Sequence, residues 1–183
     1  MYTPKADEDD LIVLREWLAR EPAVAIGEIG LDFFVPGLDP DRQRHFFVEQ
    51  LKIARDFALP VLLHVRRAID PILGELRRHR VRGGIAHAFN GSRQQAEAFI
   101  ELGFKLGFGG AMTWSRATRL RALAAELPRT AIVLETDAPD IPPAFAPPAG
   151  AGHRPRNEPG FLPGIGETLA CLWQTDPGTV AGI

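Results

Sequence analysis

Four residues that bind divalent cations well recur along this 183-residue chain, each read as the end of a separate apolar run and so of its strand. Glu28 lies in AIGEIGLD, His64 in LPVLLHVR, His87 in GGIAHAFNGS and Asp137 in IVLETDAP. Runs such as residues 61–65 read as buried parallel strands. An ionisable group tied to a buried strand is unfavourable unless something pairs it. Four such groups, all carboxylate or imidazole, point to side chains converging on a shared divalent cation. Oxygen and nitrogen ligands suit magnesium, manganese or zinc, and a single cysteine, Cys171, rules out a thiolate zinc cluster within the chain.

Elements that alternate in type must position these groups. Apolar spacing predicts helices over residues 9–20, 40–57, 68–79, 92–102, 116–126 and 161–173, with a further one opening at Asp176. Strands are expected over residues 23–30, 59–65, 84–89, 104–108 and 131–136, and a loop rich in proline and glycine over residues 138–160. Strand–helix alternation argues for a parallel sheet with right-handed crossovers, either open and doubly wound or closed as a barrel. In both, ligands bind beyond the carboxyl ends of the strands. No glycine-rich dinucleotide fingerprint follows the first strand; Gly27 and Gly30 flank Glu28 instead.

The bulk properties set limits. A formal charge of −2 gives no global attraction to nucleic acid, so phosphate binding must come from local groups. No apolar stretch approaches the ~18 residues of a membrane span, and neither a leader nor an obligate protein partner is evident. A cytoplasmic location is the expectation.

The motif series AIGEIGLDFF, LPVLLHVRRA, HAFNGS, LETDAP and RNEPGFLP resembles that of the TatD-type metal-dependent hydrolases, also called TatD-related deoxyribonucleases. The resemblance runs in order from about Gly27 to about Ala170. It implies an amidohydrolase-like (β/α)8 TIM barrel carrying two divalent metals at its strand ends. Glu28 then matches a bridging carboxylate on the fourth strand, His64 and His87 the histidines of the fifth and sixth, and Asp137 the aspartate of the eighth, which binds metal and acts as general base. Glu28, His64 and His87 would hold one metal. The other would need a His-x-His pair on the first strand, and this sequence contains none. The expectation is therefore one domain over residues 1–183, an incomplete barrel of about five of the eight strand–helix units, strands four to eight.

The function implied is phosphodiester hydrolysis of DNA or another nucleic acid. In the intact family site, two metals about 3.5–4 Å apart clamp an in-line displacement. Asp137 is the residue expected to take the proton. The alternatives are an amidohydrolase-like esterase or deacylase, such as one acting on aminoacyl-tRNA, and a truncated inactive fragment.

Substrate contacts are sought in Arg66 and in the cluster His153, Arg154, Arg156 and Asn157, against readings as a surface ion pair and a solvated loop. Asp32 is read as a group that supports the site or fixes a loop. Glu135, two residues before Asp137, shares its strand face but ranks below it. Trp114 could stack on a base or simply pack at a helix start.

Overall fold

The computed structural model describes residues 3–148, 150 and 155–182. His153 and Arg154 of the expected substrate cluster lie outside the described residues. The chain is an α/β protein whose strand pairs are parallel. It divides into two compact units, Met1–His87 with Gln94–Lys105, and Ala88–Arg93 with Leu106–Ile183.

In the first unit, α1 (Glu8–Arg20) starts at Asp7, whose side chain accepts the N–H of Asp10 while Asp10 returns the bond. This reciprocal cap fixes the start of the helix. None of its residues is buried, and Ile12, Val13 and Trp17 are exposed. Next comes β1 (Ile26–Asp32), then α2 (Pro40–Asp56), which opens with Asp39 as cap and proline at the first helical position. The spacing of Gln43, Phe46, Phe47, Leu51 and Ala54 lays one face of α2 into the core. The unit continues through β2 (Val61–Arg66), α3 (Ile69–Arg78), β3 (Gly84–Ala86) and α4 (Arg93–Glu101). Strand β1 pairs with β2, and β2 with β3.

Two details of β1 matter for what it carries. Its register against β2 slips between Ile26 and Ile29, which pair with Val61 and Leu63. Strict alternation would send Ile26 and Ile29 to opposite faces. The extra residue lets both be buried while Glu28 stays accessible. Further on, Gly30 pairs with His64 at φ 150°, and a Cβ there would sit 2.0 Å from the His64 carbonyl oxygen. Only glycine permits that approach.

The strand β4 (Phe104–Phe108) matches its sequence expectation end to end. The second unit holds β4 from Leu106 onward, α5 (Gly110–Thr113), α6 (Thr118–Glu126), β5 (Ile132–Leu134), α7 (Leu162–Trp173) and α8 (Pro177–Ala181). Strand β5 runs parallel to β4. Its core gathers Leu106, Phe108, Met112, Ile165 and Leu169, and the buried Trp173 donates its indole N–H to the Ala124 carbonyl at 2.8 Å.

Several sequence expectations need correction. The helix α5 was not foreseen, since four residues are too few to show a period. Strands β3 and β5 span three residues each, half the expected length, because ladder pairing stops before the polar residues that follow. Glu28 and His64 do not end their strands: β1 runs on to Asp32 and β2 to Arg66.

Candidate metal centre

Glu28, His64 and His87 meet in the first unit, with one ligand atom from each lying within 4.8 Å of the others. Each arrives by a different local device. Glu28 is presented by the bulge in β1, His64 by the middle of β2, and His87 by the residue directly after β3. The His87 N–H bonds the Leu63 carbonyl at 3.2 Å, which ties that turn back to β2. Glu28 Oε1 is 3.6 Å from His64 Nδ1 and closer still to His87 Nε2. The two imidazole rings have centroids 5.7 Å apart.

Hydrogen bonds from both histidines, opposed in part by burial, hold the Glu28 carboxyl at about 2, well below its ordinary value. The same bond raises His64 above its ordinary value against the pull of burial, with help from Asp32. Such mutual stabilisation marks donors of opposite character facing one point. A divalent ion bound by carboxylate oxygen and imidazole nitrogen has donors at roughly 2.0–2.2 Å, so donors on opposite sides of it stand about 4 Å apart. The Glu28–His64 separation of 3.6 Å is near that spacing, Glu28 and His87 touch directly and would have to part to admit an ion, and Glu28 is half exposed to solvent.

Asp32 supports this cluster. Its Oδ2 lies 3.3 Å from His64 Nε2, the nitrogen turned away from Glu28, and orients the ring. Its Oδ1 accepts the N–H groups of Phe34 at 2.8 Å and Val35 at 3.0 Å. Burial would raise its carboxyl, but those N–H groups and His64 together hold it low. Asp32 therefore does both things weighed for it: it touches a candidate ligand and fixes a loop. Sequence reasoning missed its own support. The buried Gln43 accepts the Asp32 N–H at 2.7 Å and donates to the Asp32 carbonyl at 3.0 Å, clamping that peptide from α2. The only hint was a glutamine on the apolar face of α2 beside Phe46 and Phe47.

A cleft of about 580 Å3 opens beside these residues in the first unit, lined among others by Glu28, Asp32, His64, Arg66, Gln50 and Phe46. Arg66 is thus at its edge, exposed, with its guanidinium 4.0 Å from the centre of the Phe34 ring.

Asp137 belongs to the second unit, three positions past the end of β5, at φ 57°. Aspartate tolerates this left-handed conformation better than most residues. Its carbonyl accepts the Asp140 N–H at 2.9 Å in a tight turn. Asn157 is 1% exposed, and its amide donates to the carbonyls of Thr136, Asp140 at 2.6 Å and Ile141 at 3.1 Å. Its side chain is committed to the loop that carries Asp137, while Arg156 beside it is exposed. Glu135 accepts the N–H of Ala88 at 2.5 Å, gripping the chain one residue after His87. It packs where a Cβ on Gly107 would stand. Trp114 donates its N–H to the Pro142 carbonyl at 3.2 Å and carries Arg116 over its ring at 4.3 Å, so it packs at a helix end.

Parallel α/β architecture with a carboxylate–imidazole cluster defines a class of hydrolase-like metal-site proteins, and comparison narrows it. The sequence model described as TatD related DNase matches residues 2–183. The chain belongs to that family. It is 48% identical over 143 residues to the uncharacterized metal-dependent hydrolase YjjV of Escherichia coli (strain K12), covering 75% of this chain and 54% of that protein. It is 40% identical over 160 residues to the 3'-5' ssDNA/RNA exonuclease TatD of Klebsiella pneumoniae (strain 342), covering 84% and 59%. The crystal structure of the E. coli K12 TatD homolog YjjV superposes with a TM-score of 0.87 at 40% identity, over 98% of this chain and 68% of that one. The chain spans a little over half the length of these two curated relatives. Among the described residues no helix is long and apolar enough to cross a membrane.

Proposed function

We propose that this protein is a metal-dependent phosphodiesterase that cleaves nucleic acid, with DNA as the substrate to test first. The observation that carries the reading is the Glu28–His64–His87 cluster. A relative at 40% identity named as a 3'-5' ssDNA/RNA exonuclease supports the choice of substrate class.

On this reading Glu28, the Glu28-facing nitrogen of His64 and His87 hold one divalent cation, magnesium, manganese or zinc. A cation there supplies Lewis-acid polarisation of water and of a phosphoryl oxygen. Asp32 keeps His64 in the ligating orientation through its other nitrogen. Asp137 is the base, accepting the proton of the attacking water at a carboxylate oxygen, and is a further candidate ligand. Arg66 neutralises a substrate phosphate. The His153, Arg154 and Arg156 group remains a proposed phosphate contact, while Asn157 acts on the loop. The domain assignment, residues 1–183 as strands four to eight of a (β/α)8 barrel, rests on the order of the motifs and the five strand–helix units.

Single-stranded DNA incubated with the protein and magnesium or manganese should shorten. Asp137→Asn and His64→Ala should each abolish shortening, and His64→Ala should also abolish divalent-cation binding by isothermal titration. Cleavage of an aminoacyl ester with DNA left intact would sink the phosphodiesterase reading.

A further inference from the structure

The loop leaving β1 and the end of β2 place an aromatic ring and two arginines in one spot of the first unit. Phe34 is 44% exposed. The Arg66 guanidinium carbon lies 4.0 Å from its ring centre and that of Arg67 4.6 Å. Both arginines are exposed, and among the described residues no carboxylate pairs with either. Two like charges focused on one ring repel each other, and the ring quadrupole offsets that only in part. Arg67 reaches its place with φ 53°, a left-handed conformation an arginine rarely takes. Such an arrangement is favoured when an anion joins it.

Its position is set by the candidate metal centre. Asp32, which contacts His64, also accepts the backbone N–H groups of Phe34 and Val35, and Phe33 donates its N–H to the Arg66 carbonyl at 2.9 Å. One buried carboxylate therefore registers the ring against the cation ligands. Arg66 lines the same cleft as Glu28 and His64.

We infer that Phe34, Arg66 and Arg67 form a nucleotide-holding platform: the guanidiniums that lie over the Phe34 ring swing off it to take the adjoining phosphates, and the ring so uncovered stacks on a nucleobase. The ligand class is a single-stranded nucleic acid, whose bases are unpaired and open to a flat aromatic surface. This rests on the nuclease reading above and adds to it that the protein holds bases as well as phosphates. It makes Phe34 a determinant of strand choice without any part in bond breaking.

Fluorescence anisotropy with the whole protein in EDTA, so that no strand is cut, tests the idea. The probes are a short oligothymidylate and an abasic strand of equal length. The wild type should prefer the base-bearing strand by about tenfold. Phe34→Leu should bring that ratio to about one, and Phe34→Trp should keep it. Arg67→Ala should weaken both strands by the same factor and reduce the salt slope by roughly 0.7, as for one lost phosphate contact on a single strand. An unchanged ratio in Phe34→Leu, or a lost one in Phe34→Trp, overturns the platform. If the wild type shortens DNA yet shows no base preference, the platform fails and the nuclease reading stands. If it neither binds nor shortens any strand, both fall.

Discussion

The loops that leave β1 and β5 are each pinned by one buried polar side chain, but from opposite distances in sequence. After β1 the pin is Asp32, 4% exposed, which ends the strand and gathers the N–H groups two and three residues ahead. After β5 the pin is Asn157, 1% exposed, whose amide gathers carbonyls 16 to 21 residues behind it. One side chain supplies acceptors to a loop with spare donors, and the other supplies donors to a loop with spare acceptors. Asp32 also spends an oxygen on His64, so it links loop and ligand. Among the described residues Asn157 shows no such second duty: its side-chain amide oxygen accepts the N–H of its neighbour Glu158 at 2.9 Å.

The comparison yields a graded set of expectations. Asn157→Ala strips three carbonyls of their donor at once. It should cost about 3 kcal/mol and lower Tm by roughly 10 °C in calorimetry. A fall of under about 2 °C would show that water satisfies those carbonyls, and the contrast between the two pins would break. Asp32→Asn is a sharper cut. The amide oxygen still serves Phe34 and Val35, so the loop and Tm should hold, while the charge facing His64 is gone. Affinity for manganese or zinc, read by isothermal titration, should drop about 10–100-fold. Equal loss of Tm in the two variants would mean that Asp32 is a loop pin only.

The smallest effect is one of pH. In the metal-free protein Glu28 titrates at about 2 rather than at its ordinary 4.5. Its contribution to stability is complete above pH 4.5 and fades as pH falls toward about 2. His64 is raised above 6.5, so its contribution is complete below pH 6.5 and is lost as pH rises through the raised value. Both belong to one pair, so the metal-free protein should melt highest between pH 4.5 and 6.5. Exposure of Glu28 keeps the rise modest. Glu28→Gln should flatten the profile, and a wild-type profile already flat would remove the pair from the account.

What the sequence revealed follows the same division between local and distant. Strand β4 and helices α2 and α7 were readable because period, caps and proline positions are all near neighbours. The meeting of Glu28, His64 and His87 was readable because parallel strands must bring corresponding positions together. The bulge that aims Glu28 was not, since it depends on pairing with β2 and leaves no local composition signal. The Gln43 clamp and the grip of Glu135 on Ala88 were hidden for the same reason, each joining residues at least 11 positions apart. Asn157 looked like part of a basic phosphate cluster because its neighbours are basic; burial, which composition cannot show, assigns its amide to the loop instead.

The notch at Gly30 has a consequence for how the first unit assembles. Sliding β1 by one position would bring Ile29 or Leu31 opposite the His64 carbonyl, where Gly30 alone leaves room. Both one-position slips of the two strands are thereby jammed, and either would also turn Glu28 to the wrong face. A missing methyl group thus bars the nearest wrong alignments and keeps the cation ligands in step.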